Sequence, residues 1–170
     1  TGEQFHPLRA DFDGDGKTDL AVVFNYYGSL GWYIAESHSN TVRAVLWGYP
    51  GDQLVPADYD GDGKAEVAVM RNGEWYILNE DLTATVRYWG EAGDFGVPAD
   101  YDDDGLANYA IYRTNPDGSK SWWILFSTYK EDNEETSYFG IANWGSIFDI
   151  PLPADWNSDG KADFAVYTPA

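Results

Sequence analysis

The stretch Asp11-Phe12-Asp13-Gly14-Asp15-Gly16-Lys17-Thr18-Asp19-Leu20-Ala21-Val22-Val23 decides the reading of this chain: an acidic nine-residue loop runs directly into a short hydrophobic segment of β type. The chain writes the pattern three more times. Residues 58–66 lead into Val67-Ala68-Val69-Met70, residues 100–108 into Tyr109-Ala110-Ile111-Tyr112, and residues 155–163 into Phe164-Ala165-Val166-Tyr167. Self-similarity at a period of a few tens of residues marks a repeat architecture, in which each repeat is one supersecondary unit.

Oxygen-bearing side chains stand at loop positions 1, 3, 5 and 9 in all four copies. They are Asp11, Asp13, Asp15 and Asp19; Asp58, Asp60, Asp62 and Glu66; Asp100, Asp102, Asp104 and Asn108; and Asp155, Asn157, Asp159 and Asp163. A hard cation such as Ca²⁺ takes about six to eight oxygens, and acids at alternate positions converge when the chain coils around the ion. Glycine at position 6 (Gly16, Gly63, Gly105, Gly160) permits the sharp turn. The side chain at position 7 varies (Lys17, Lys64, Leu106, Lys161), as expected of a residue that gives only its backbone carbonyl. The expectation is up to four Ca²⁺ ions, one per loop. A plain Asp/Gly turn would not hold the same offsets four times. Mg²⁺ prefers a tight octahedral shell and keeps its waters, and zinc would call for nitrogen and sulfur ligands. An EF-hand would carry a bidentate Glu at position 12, where Val22, Val69, Ile111 and Val166 stand instead. Thrombospondin-type calcium repeats depend on disulfides, and the chain has no cysteine.

Charge agrees with metal binding. Twenty-nine acidic residues face 10 basic ones, for a formal charge of −19, and four Ca²⁺ would cancel eight of those charges. No basic patch is present to neutralise phosphates, so nucleic acid is not an expected partner. Anionic membranes are disfavoured for the same reason, and no apolar run approaches a membrane span. An apolar content of 44% supports a packed core. Loops of this kind in extracellular modules bind Ca²⁺ at about 10⁻⁴–10⁻³ M, which points to a secreted or cell-surface protein. No signal peptide is visible, so the numbering is read as starting after processing or at an expression boundary.

Between the loops the chain repeats a plan. Trp32-Tyr33-Ile34, Trp75-Tyr76-Ile77 and Trp122-Trp123-Ile124 follow the first three loops, and Trp-Gly pairs at Trp47, Trp89 and Trp144 stand 11 residues before Asp58, Asp100 and Asp155. Short segments ending in Ala10, Ala57, Ala99 and Ala154 precede the loops as strands, and each holds a proline, which suits a sheet edge or strand start. The loops begin 47, 42 and 55 residues apart, at Asp11, Asp58, Asp100 and Asp155. Each interval holds four strand-like runs and no helical periodicity, the dimension of one β-propeller blade. The fold class is therefore all-β: a propeller-type array of four-stranded antiparallel blades within one repeat domain spanning residues 1–170. Its units are approximately 5–52, 53–94, 95–149 and a partial 150–170. The third unit is lengthened by an acidic insertion, residues 130–135, read as a solvated hairpin tip.

The run P-A-D-[FYW]-[DN]-x-D-G-[KL]-x-[DEN]-[LVYF]-A-[VI], with W-Y-I and W-G between copies, resembles FG-GAP-like repeats of the VCBS type over residues 5–167. The resemblance implies a β-propeller blade with one Ca²⁺ per loop. Such blades occur in bacterial cell-surface and secreted proteins, in propeller lectins and in integrin α-chain heads. Asn108 and Asn157 replace carboxylates and Asp103 crowds the third loop, so weaker calcium binding is expected at the third and fourth sites. Three and a half units fall short of the seven blades common in the family.

Tryptophans 32, 75, 122, 47, 89 and 144 are read as blade-to-blade packing. Aromatics outside the repeat, namely Tyr26, Tyr27, Trp123, Tyr129 and Tyr138, are the better candidates for stacking on sugar rings. No nucleophile elbow, phosphate loop or zinc signature occurs, and His6 and His38 sit in turn-like contexts, so an enzyme is not expected. The expected function is a calcium-stabilised extracellular module that binds glycan or a surface protein. The alternatives are a structural spacer or assembly unit of a larger secreted protein, and a non-catalytic accessory domain of a carbohydrate-active enzyme. The short fourth unit leaves an open β edge, which invites a homo-oligomer or neighbouring blades.

Overall fold

The computed structural model describes residues 6–129 and 135–169. The chain divides into two compact units, residues 1–87 and 88–170. Every regular element among the described residues is a β-strand. The first unit holds β1 (His6–Ala10), β2 (Asp19–Tyr26), β3 (Ser29–Ala35) and β4 (Val42–Leu46), then β5 (Gln53–Leu54), β6 (Val67–Arg71), β7 (Glu74–Leu78) and β8 (Ala84–Tyr88). They form two four-stranded sheets in the orders β1-β2-β3-β4 and β5-β6-β7-β8. The second unit holds β9 (Phe95–Gly96), β10 (Tyr109–Thr114), β11 (Lys120–Tyr129) and β12 (Glu135–Asn143) in one four-stranded sheet, and β13 (Ile150–Pro151) with β14 (Val166–Tyr167) in a two-stranded one. The three four-stranded up-and-down antiparallel sheets have the strand count and order of propeller blades, and the fourth sequence unit supplies two strands.

Alternation explains which face is buried. Along β2, Ala21 and Val23 are buried while Leu20 and Val22 are exposed, the period-2 pattern of a strand with one wet face. In the third strand of each complete sheet, Trp32 and Ile34, Trp75 and Ile77, and Trp122 and Ile124 point inward and are essentially inaccessible. One core gathers Phe12, Val23, Trp32, Ile34, Val67 and Val69; the other gathers Val97, Tyr101, Tyr112, Trp122 and Ile124. The outermost strands β4 and β8 are largely exposed, so burial falls off from inner to outer strands. Tryptophans 32, 75 and 122 are thus buried core residues. Trp47 and Trp89 are half-buried, and Trp144 is exposed.

Two turns and one edge follow from local chemistry. Tyr27-Gly28 and Asn72-Gly73 close the β2–β3 and β6–β7 hairpins with both residues at positive φ, the tight two-residue turn that matches strand twist. Pro7, Pro56, Pro98, Pro151 and Pro153 lie in or beside the first strand of their sheets, which is an edge, where a missing N–H breaks no ladder. His6, expected in a turn, instead opens β1, whereas His38 is in the β3–β4 turn. The side chains of Tyr129 and Tyr138 and the acidic tip at 130–134 lie outside the described residues.

Candidate metal centres

Each acidic loop is pinned shut at its base. The residue before the loop pairs with position 9 across the sheet: Ala10 with Asp19, Ala57 with Glu66, Ala99 with Asn108, and Ala154 with Asp163. Within this frame the first aspartate organises the coil. Asp11 Oδ1 and Oδ2 accept the amides of Gly14 (2.7 Å) and Gly16 (2.8 Å); Asp58 accepts those of Gly61 (2.7 Å) and Gly63 (2.9 Å). Asp100 does the same with Asp103 (2.7 Å) and Gly105 (2.9 Å), and Asp155 Oδ2 takes the Gly160 amide at 3.0 Å. Position 5 accepts the amide of position 7 in all four loops, at 2.8–3.0 Å. The position-6 glycines lie at φ +78, +87, +85 and +93, the left-handed conformation that the sequence demands there.

This coil brings carboxylates together. Asp11, Asp13 and Asp15 offer oxygens that all lie within 4.8 Å of one another, as do Asp58, Asp60 and Asp62, and Asp100, Asp102 and Asp104. Oxygens at about 2.3–2.6 Å from a shared Ca²⁺ lie at most about 5 Å apart, so the three triads have the span and the donor type of an oxygen-ligated cation site. The fourth loop has Asn157 at position 3 and so brings two acids, Asp155 and Asp159, with one amide.

The position-9 side chains lie outside these triads and have a shared second task. Asp19 Oδ2 accepts the Phe12 amide (2.8 Å), Glu66 Oε2 that of Tyr59 (2.7 Å), Asn108 Oδ1 that of Tyr101 (2.7 Å) and Asp163 Oδ2 that of Trp156 (3.0 Å). Each ties the end of its loop to the loop's second residue. In the first loop the β3–β4 turn adds a lid of donors: the Ser37 amide to Asp19 (2.7 Å), the Ser37 hydroxyl to Asp15 (3.0 Å), and the His38 amide to Asp13 (2.8 Å). Nothing in the acidic spacing announces that turn.

Position-7 lysines partly neutralise the acids. Lys17 Nζ lies 2.8 Å from Asp15 Oδ2, and Lys64 Nζ lies 3.1 Å from Asp62 and 2.6 Å from Glu80. The Lys17 hydrogen bond holds the Asp15 carboxyl below its ordinary range, and Glu80 with Asp62 raises the Lys64 ammonium. Burial acts the other way on Glu66, pushing it up to about 7, with the Asp60, Asp58 and Asp62 charges adding to the rise. Burial likewise raises Asp102.

Neighbouring loops are also joined. The Ala65 amide, in the second loop, donates to the Asp11 carbonyl at 2.6 Å, and the Ala162 amide, in the fourth, donates to the Asp100 carbonyl at 2.7 Å. Position 8 of one loop thus holds position 1 of the loop before it, once in each unit. Comparison with curated proteins and with solved structures gives no match. Residues 11–69, from the first aspartate of the first loop to Val69 in β6, match the FG-GAP-like repeat family, and this part of the chain is an FG-GAP-like repeat.

Proposed function

We propose that the protein is a calcium-stabilised, extracellular, propeller-type binding module in which the ions are structural clamps and not catalysts. The observation that carries this reading is the convergence of Asp11/Asp13/Asp15, Asp58/Asp60/Asp62 and Asp100/Asp102/Asp104 into three oxygen clusters. In the full ligand set these acids are joined by position 9 (Asp19, Glu66, Asn108) and by the carbonyls of Lys17, Lys64 and Leu106. Asp155, Asn157, Asp159 and Asp163, with the Lys161 carbonyl, form a fourth and weaker site. The partner is a glycan or a surface protein.

With a Kd near 10⁻⁴ M and about 1 mM Ca²⁺, each filled site adds roughly 1.4 kcal/mol to folding. Isothermal calorimetry with CaCl₂, thermal melts with and without EDTA, and a glycan array run in both conditions test the reading together. Calcium uptake, a lower melting temperature in EDTA and calcium-dependent retention on the array are the expected results. No heat on calcium addition and an unchanged melt in chelator would remove the clamp.

A further inference from the structure

Each unit has a cavity at its Trp-Gly turn, and the two are built from equivalent residues. The cavity in residues 1–87 encloses about 320 Å³ and is lined by Trp47, Tyr49, Val69, Arg71 and Tyr76, among others. The cavity in residues 88–170 encloses about 240 Å³ and is lined by Trp89, Gly90, Glu91, Ile111, Arg113 and Trp123. Trp47 and Trp89 both stand 11 residues before the following acidic loop, and Tyr76 and Trp123 both follow the buried tryptophan of the third strand. Val69 and Ile111 stand 11 residues after the first aspartate of their loops, at Asp58 and Asp100, and Arg71 and Arg113 stand 13 after it. The repeat itself encodes the cavity, and the main change is glutamate for tyrosine at the rim.

The arginine in each is fixed and its charge is met by a buried aspartate, and in the second cavity Glu91 also lies 3.5 Å from Arg113. Arg71 binds Asp52 in a fork, Nε to Oδ1 at 2.6 Å and Nη2 to Oδ2 at 2.7 Å; Arg113 binds Asp94 with 2.9 and 2.7 Å. Both aspartate side chains are buried, and each also accepts an amide of its Trp-Gly turn, from Tyr49 (2.8 Å) and Glu91 (2.7 Å). The Arg71 guanidinium lies 4.9 Å from the Tyr49 ring centroid and 5.2 Å from that of Tyr76, and Arg113 lies 5.0 Å from Trp123.

A paired guanidinium offers little net charge to an anion, and its stacked rings are already engaged by a cation, so charged ligands gain little here. A wholly apolar ligand would cover polar groups without pairing them. A ring with an apolar C–H face and hydroxyls around its edge suits aromatic walls beside a rigid polar fork. The volumes sit at or below the small end of ligand pockets, about 300 Å³, which is room for one ring. We propose that each cavity is a subsite for one neutral pyranose ring, so that the repeat presents two related sites to a glycan. This rests on the reading of the protein as a binding module. At the third Trp-Gly turn, Trp144-Gly145, Thr168 takes the arginine's place and donates to Asp149 at 2.6 Å, so the rigid fork is not repeated there.

The test is a ¹H–¹⁵N titration of the whole chain in calcium with glucose, galactose, mannose, N-acetylglucosamine and fucose, and with glucuronic acid as the charged control. The indole N–H signals of Trp47 and Trp89 should move with at least one neutral sugar. Tyr49→Ser should weaken the Trp47 response about tenfold, the worth of one aromatic contact, and leave the Trp89 response as an internal proof of folding. Glucuronic acid acting more strongly than every neutral sugar, or an equal Trp47 response in Tyr49→Ser, would overturn the proposal. Glycan binding that shifts other residues would overturn it while leaving the binding module intact. Calcium uptake with no sugar response would overturn it while leaving the clamps.

Discussion

Position 4 of each acidic loop lies in the left-handed region: Gly14 and Gly61 at φ +77 and +80, Asp103 and Ser158 both at +63. A side chain there crowds its own backbone, at a cost of about 1 kcal/mol or more. Ser158→Gly should therefore raise the stability of the protein by about 1 kcal/mol in urea unfolding, an unusual gain from glycine. Glu66 carries a second residue-level consequence. Its carboxyl is raised by burial from 4.5 to about 7, so the metal-free fold keeps a proton that the unfolded chain has lost. Stability contributed by that proton is full below pH 4.5 and lost as pH rises through about 7. Melting temperatures in EDTA should fall across that window. Glu66→Gln should flatten the fall, and saturating calcium, which favours the carboxylate, should oppose it. Alternate acids and the position-6 glycine were legible in the sequence because each residue type has one physical use there. The left-handed demand at position 4 was not, because aspartate and serine tolerate it in two of the four copies and so hide it.

At the scale of strands and turns, the Trp-Gly offset was as readable as the acids, and the reason is steric. Gly48 has φ +87, and a Cβ there would come 2.8 Å from Val69 Cγ1. Gly28 has a similar φ of +91 but open space around it. Gly28→Ala should cost only the backbone term, about 1–2 kcal/mol, while Gly48→Ala adds overpacking of about 1–3 kcal/mol; denaturant midpoints of the two variants separate these contributions. Sheet order and hairpin pairing were also within reach of the sequence, since period-2 runs and close turns leave few ways to pair. The hydrogen bonds made by position 9 to the position-2 amide were not. A carboxylate at that offset reads as a metal ligand, and only the folded loop reveals the amide facing it. The donors from Ser37 and His38 were equally hidden, because they arrive from 18 to 25 residues away across a hairpin.

For the molecule as a whole, the excess of acid sets the terms. A chain at −19 repels itself, and four loops concentrate much of that charge. Added NaCl should raise the melting temperature of the EDTA-treated protein, and should do much less once calcium is present, because the ions have then removed the repulsion that salt screens. A melt series in NaCl with and without calcium reads this directly. The amides of Ala65 and Ala162 give the same loops a further property. Because each reaches the carbonyl of its neighbour's leading aspartate, ordering one corner draws the adjacent one toward its working shape, and the influence runs equally in reverse. Occupancy should then climb more steeply with free calcium than two independent corners would allow, and depletion should empty them in pairs.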